Sequence, residues 1–94
     1  MSPIIDPDAP DAAARLTPPG WQVESGALAR TFAFKDFRAA LGFVNQVGDL
    51  AEAAGHHPDI DIRYNRVRLG LITHDAGGLT AKDFELAAGI NELV

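Results

Sequence analysis

The stretch Asp59-Ile60-Asp61-Ile62-Arg63-Tyr64-Asn65-Arg66-Val67-Arg68-Leu69-Gly70-Leu71 decides the fold. Ile60, Ile62 and Tyr64 alternate with Asp59, Asp61 and Arg63. Beyond Asn65-Arg66, Val67, Leu69 and Leu71 alternate with Arg68 and Gly70. A period of two places every second side chain on the same face of a strand. The stretch therefore reads as a hairpin with one apolar and one polar face, centred on Asn65-Arg66. In that register Tyr64 faces Val67, Ile62 faces Leu69 and Ile60 faces Leu71. Continued outward, it sets His57 opposite His74, with Cβ atoms roughly 4.5–5.5 Å apart. His56 is the immediate neighbour. Pro58 loosens the ladder before His57, because it has no N–H to donate. The same register sets Arg63 opposite Arg68, a like-charge pair that Asp61 on the diagonal would offset.

Upstream, Trp21 to Glu24 and Ala27 to Phe34 read as a second hairpin turning at Ser25-Gly26. Val23 then faces Leu28, and Trp21 faces Arg30. Asp36 caps a helix running to about Ala54, with Phe37, Leu41, Val44 and Ala51 as its apolar stripe. Gly55 sits where a glycine commonly ends a helix, and Pro58 prevents continuation. Downstream, Gly77-Gly78 ends the hairpin. Thr80 caps a last helix with Phe84, Ala87, Ala88, Asn91 and Val94 along one side. The first twenty residues hold five of the six prolines. Asp8 to Leu16 forms a short helix on this reading, and Thr17-Pro18-Pro19-Gly20 a loop. The order is helix, hairpin, helix, hairpin, helix. The expected class is α+β: a four-stranded antiparallel sheet with three helices packed on one face. Residues 1–19 are an N-terminal segment and residues 20–94 the domain.

Composition narrows the function. The chain has 94 residues, enough for one domain but a small core. Partner copies could supply further burial, so an oligomer is expected. There is no cysteine, which removes disulfides and thiolate sites. A net charge of −5 and a pI of about 4.9 argue against nucleic acid as the main ligand. No apolar run approaches the ~20 residues that span a bilayer. The acidic start Met1-Ser2-Pro3-Ile4-Ile5-Asp6 has no basic or apolar leader region, so a cytoplasmic protein without a signal peptide is expected.

All three histidines fall at one end of the hairpin. Histidine suits proton transfer near neutral pH. Glu52-Ala53-Ala54-Gly55-His56-His57-Pro58, then Tyr64-Asn65, Thr73-His74, Gly78-Leu79-Thr80 and Asp83, resembles the pterin-4a-carbinolamine dehydratases. So do Gly20-Trp21, Phe32-Ala33-Phe34-Lys35-Asp36-Phe37 and Gly42-Phe43 upstream. The resemblance covers residues 20 to 94. It implies a four-stranded antiparallel sheet with three helices on one side and a homodimer or homotetramer. It also implies loss of water from 4a-hydroxytetrahydropterin to give quinonoid dihydropterin, which feeds tetrahydropterin recycling. Pterin is then the substrate, and neither a metal nor another cofactor is required.

The resemblance points to His57 and His74 as the acid–base pair, without saying which is the acid. His56 positions substrate or supports the pair. Glu52, one helical turn before His56, orients a histidine, binds the amino edge of the pterin, or is solvated. A carboxylate near a helix C-terminus opposes the helix dipole, which argues against mere solvation. Thr80-x-x-Asp83 has the layout of a capping box, and Asp83 could also steady the loop carrying Thr73 and His74. Pro58 fixes the backbone beside His57. Tyr64 is core or a pocket wall.

Three positions depart from the animal relatives, which carry an Asp before the histidine pair, a Trp shortly after His-His-Pro and an Arg before the terminal Asp. Here they are Gly55, Ile60 and Lys82. Lys82 keeps the charge but not the planar fork of arginine. Two rival readings remain. One is a non-catalytic dimerisation or assembly module of the same fold, which has no need of three clustered histidines. The other is a zinc site, which usually draws on spaced histidine pairs absent from this chain.

Overall fold

The computed structural model describes residues 17–94. The first hairpin pairs β1 (Gln22–Glu24) with β2 (Ala27–Ala33), and Val23 faces Leu28 as expected. Ser25 and Gly26 both take positive φ, 51° and 80°. That matches the right-handed twist of the strands they join. The second hairpin pairs β3 (Asp59–Arg63) with β4 (Arg66–Leu71). The two hairpins join through β2 and β4, where Leu28 faces Leu71 and Phe32 faces Val67. The sheet order is β1-β2-β4-β3.

The register of the second hairpin differs from the expectation. Its turn is Tyr64-Asn65, not Asn65-Arg66, and Ile60 faces Leu69 while Ile62 faces Val67. The shift is two residues. A two-residue shift leaves every side chain on its original face, so the apolar alternation cannot distinguish the two registers. Tertiary contacts decide it. Asn65 donates its side-chain amide to Phe34 O (2.8 Å), and Phe34 N donates to Asn65 O (2.9 Å). This anchors the turn to the end of β2. The observed register also sets Asp61 opposite Arg68, replacing the expected clash of Arg63 with Arg68. Arg68 forms a further ion pair with Glu24 across the sheet.

Between the hairpins runs α1 (Phe37–Ala54), and α2 (Ala81–Asn91) follows the sheet. Asp36 caps α1 by accepting from Ala39 N at 2.8 Å. Gly55 ends it at φ 63°, donating its N–H to Ala51 O and Glu52 O. Asp and Asn enter this left-handed region more readily than most residues other than Gly. Gly55 therefore meets a backbone demand that the Asp of animal relatives could also meet. Two α-helices, not three, are present among the described residues. The expected third, Asp8 to Leu16, lies outside them.

Helix α1 presents a different face from the one expected, whereas α2 buries part of its expected stripe, Phe84 and Ala87. In α1 the buried residues are Ala40, Phe43, Val47 and Ala51. Of the expected stripe only Ala51 is buried. Phe37 is 46% and Leu41 38% exposed. The helix carries two apolar stripes at helical spacing, and only packing shows which one meets the sheet. In α2 the core takes Phe84, Leu86, Ala87 and Ile90, while Ala88 and Val94 face outward. Asn91 is half-buried because it is used as a polar clamp. Its Oδ1 accepts from Trp21 Nε1 (2.9 Å) and Arg30 (2.6 Å). One core results, with Leu28, Phe32, Val67, Leu69 and Leu71 from the sheet against Phe43, Val47, Leu86 and Ile90 from the helices.

Candidate functional site

The end of α1, the connection after β4 and the start of α2 meet at one edge of the core. Gly55 turns the chain out of α1, which projects His56 and His57 before Pro58 leads into β3. After β4, Thr73 bridges to Gly78, and His74–Ala76 forms a single 3-10 turn. Thr80 then starts α2. A cavity of about 260 Å3 lies between these segments, lined by His56, His57, Ile72, Thr73, His74 and Lys82, with Gly55 and Asp75 at its margin.

The three histidines share this cavity, but not by cross-strand pairing. The β3–β4 ladder ends at Asp59 and Gly70, so His57 and His74 are not opposite one another. They are joined instead by the loops beyond the ladder. Each histidine has its own surroundings. His56 donates through Nε2 to Asp83 Oδ1 at 2.6 Å, and its side chain is largely buried. His57 Nε2 lies 3.0 Å from Glu52 Oε1, with both side chains well exposed, 63% and 79%. A pair this open adds little stability, about 0–1 kcal/mol. His74 is exposed on the 3-10 turn.

Asp83 is wholly buried behind His56. Its Oδ2 accepts from the Thr73 hydroxyl (2.8 Å) and from Thr80 N (2.9 Å). The Thr73 hydroxyl gives its one hydrogen to Asp83. The Thr80 hydroxyl, 2.8 Å from it, must therefore be the donor between the two threonines. Among the described residues no buried side-chain nitrogen or oxygen lacks a partner. This satisfies the rule that a buried charge must be hydrogen-bonded on every side. The capping layout read from the sequence is thus also the bracket that ties His56 to the residue before His74.

The remaining expected residues divide. Lys82 lines the cavity. Pro58 and Glu52 line a separate groove between α1 and β3, so Glu52 reaches the cavity only through His57. Tyr64 is not a pocket wall. It occupies the β3–β4 turn at φ 54°, 68% exposed. Five strand residues at about 3.3 Å each separate it from Pro58. The sequence reading took Thr80 as a helix cap and not as a support of the site, and it did not single out Ile72. The capping spacing marks Thr80 as a helix start, but only the Thr73–Gly78 bridge brings it back to Thr73, and nothing in the spacing marks Ile72. Among the described residues no three His, Asp or Glu side chains converge in a way that could hold a metal.

A sheet backed by helices, with histidines converging on a cavity at its edge and a buried carboxylate behind one of them, defines a small α+β protein. The family model for pterin 4 alpha carbinolamine dehydratase matches residues 6–93, and the chain belongs to that family. A protein of Chloroflexus aurantiacus named "Putative pterin-4-alpha-carbinolamine dehydratase" is 64% identical over 76 residues, 81% of this chain and 82% of that one. One of the same name from Nostoc sp. is 50% identical over 90 residues, 96% and 95% of the two chains. The crystal structure of a transcriptional coactivator/pterin dehydratase from Brucella melitensis superposes with a TM-score of 0.86 at 35% identity, covering 97% and 98%. A pterin dehydratase-like RuBisCO assembly factor of the alpha-carboxysome shares the fold, with a TM-score of 0.63 at 24% identity over 78% and 84%. Family membership supports dehydration of a pterin carbinolamine as the activity.

Proposed function

We propose that this chain removes water from 4a-hydroxytetrahydropterin to give quinonoid dihydropterin, using its histidines as acid and base. The observation that carries the reading is the meeting of His56, His57 and His74 on one cavity. In the reaction the C4a–O bond breaks, and the hydroxyl leaves as water with a proton from an acid. A base takes the proton from N5, and a C4a–N5 double bond forms. His57 and His74 serve as the acid–base pair, because both rings are exposed to the cavity and to solvent for proton exchange. His56 positions the substrate, since Asp83 fixes its ring. Thr73 and Thr80 hold Asp83. Glu52 orients His57, and Lys82 supplies a positive charge at the rim. The product would enter tetrahydropterin recycling in the cytoplasm.

The deciding experiment is a dehydration assay on freshly generated 4a-hydroxytetrahydropterin. Purified protein is expected to accelerate water loss well beyond the spontaneous rate. A rate no faster than the spontaneous one would favour the non-catalytic dimerisation or assembly role.

A homodimer or homotetramer belongs to the same proposal. Phe37 and Leu41 are exposed on α1, Val44 beside them is only partly buried against the core, and Ile60 on the edge strand β3 is 39% exposed. Val44 and Ile60 line one groove. A contiguous apolar surface of this kind ordinarily marks a protein contact. Analytical ultracentrifugation at micromolar concentration is expected to show an oligomer that Leu41→Lys dissociates. A wild-type monomer under those conditions would remove this part of the reading.

A further inference from the structure

The β3–β4 turn stands at the far end of the hairpin from the histidine cavity. Three features at this end run against local rules. Tyr64 holds φ 54° in the turn, although bulky side chains strain the left-handed region, and 68% of it lies in solvent. Its ring therefore gains little burial to offset the strain. Arg63 pairs directly with Arg66 across the two strands, and like charges facing each other repel. Asp61 lies 3.2 Å from Arg63 and offsets only part of this. Arg38 stands in the first turn of α1, which contains no acidic residue, so its charge opposes the helix dipole. The two hydrogen bonds between Phe34 and Asn65 hold the residues before α1 against this turn, and Lys35 is exposed beside them.

Lys35, Arg38, Arg63 and Arg66 are four of the chain's eight lysines and arginines. Of the others, Arg30 is bound to Asn91, Arg68 pairs with Glu24, and Lys82 lines the histidine cavity. Among the described residues, Lys35, Arg38 and Arg66 form no ion pair. A chain of net charge −5 therefore carries one concentrated positive end, with an exposed aromatic ring at its tip. Local rules broken together, with no return in folding, mark a contact surface. We propose that the β3–β4 turn and the start of α1 form a docking surface for an acidic segment of another protein, one with an apolar side chain among its carboxylates. Arg63 and Arg66 take carboxylates in two-pronged hydrogen bonds, which also relieve the repulsion between them. Tyr64 packs the apolar side chain with a rigid ring, as tyrosine does at the centre of many interfaces. Nucleic acid fits less well, because a polyanion running beyond four cations meets the acidic remainder of the protein. The surface is remote from His57 and His74, so docking and dehydration do not compete.

The test uses the full chain and two labelled probes at low salt. One is a short peptide of glutamates interrupted by leucines, the other a single-stranded oligonucleotide of equal net charge. Fluorescence anisotropy reads the Kd of each for wild type, Arg66→Glu and Tyr64→Asn. The peptide is expected to bind wild type more tightly than the oligonucleotide does. Each substitution should weaken peptide binding about tenfold, the loss of one interface anchor. Thermal unfolding, run alongside, separates contact from fold. Arg66→Glu replaces a repulsive cross-strand pair by an attractive one, and asparagine tolerates positive φ better than tyrosine. Neither variant should therefore unfold below the wild-type temperature, and both should keep the wild-type dehydration rate. A lower unfolding temperature in both variants would give these residues a folding role and overturn the proposal. So would unchanged peptide affinity in both variants, no peptide binding to wild type, or tighter binding of the oligonucleotide. Loss of oligomers in Arg66→Glu would assign the surface to a second copy of this chain, which also overturns it.

Discussion

His74→Ala is expected to lower the dehydration rate by a factor of about 10²–10⁴, the range that one positioned acid or base contributes. His74 is exposed on the 3-10 turn, outside the core. Removal of an exposed ring away from a packed region usually changes stability by no more than about 0.5 kcal/mol. The variant should thus unfold at nearly the wild-type temperature while losing activity. His57→Ala should lose a similar factor. The double variant should be little worse than either single one, because an acid and a base that act in one step fail together. The measurement is single-turnover dehydration with thermal unfolding alongside. A His74→Ala protein with full activity would remove His74 from the chemistry and leave His57 and His56 as the pair.

Asp83→Ala should have the largest effect on stability. Asp83 is fully buried, and its carboxylate accepts from His56, Thr73 and Thr80 N. Deleting it strands three donors and removes half of the α2 cap. Leaving a buried donor without its acceptor costs about 1–3 kcal/mol, so three together cost at least about 3 kcal/mol. For a domain of this size each kcal/mol lowers Tm by about 4–8 °C, so a fall of at least ~12 °C is expected. Asp83→Asn isolates the chemical role. With its oxygen kept toward Thr73 and Thr80 N, it still caps the start of α2, but its amide N–H₂ then opposes the His56 Nε2–H. A loss of about 1–2 kcal/mol is expected for an unmatched buried polar group. Activity should fall further than that stability change explains, because the His56 ring is no longer held. The readouts are urea denaturation and the dehydration rate at a temperature where both variants are folded. An Asp83→Ala protein within 1 kcal/mol of wild type would show that the bracket does not hold the site together.

These predictions act on different links of one chain. Asp83 fixes His56 and, through Thr73, the start of the turn that carries His74. His74 itself has no structural task. Loss of the first residue should disturb fold and function together, and loss of the second should affect function alone.

Much of this was legible in local sequence. The two hairpins, both helices and their capping residues Asp36, Gly55 and Thr80 follow from rules acting over a few residues. These are alternation of period two, side-chain capping of free N–H groups, and positive φ at Ser25, Gly26 and Gly55. The clustering of the three histidines was also legible, since His56 and His57 end one connection and His74 begins another near the same end of the hairpin.

What the chain order could not settle lies at longer range. The hairpin register was open to a two-residue slip, because a shift of even size keeps each side chain on its face. The contacts of Asn65 with Phe34 removed that freedom. Helix α1 has apolar residues on two stripes, and only contact with the sheet chose Ala40, Phe43 and Val47 over Phe37 and Leu41. Most consequentially, the expected facing of His57 and His74 across a ladder gave way to a meeting of loops. His56, not His57, received the buried carboxylate. Sequence alone determined that the three histidines gather at one end of the second hairpin. Tertiary structure decided which of them are fixed and which are free, because burial and hydrogen-bond partners depend on segments far apart in the chain.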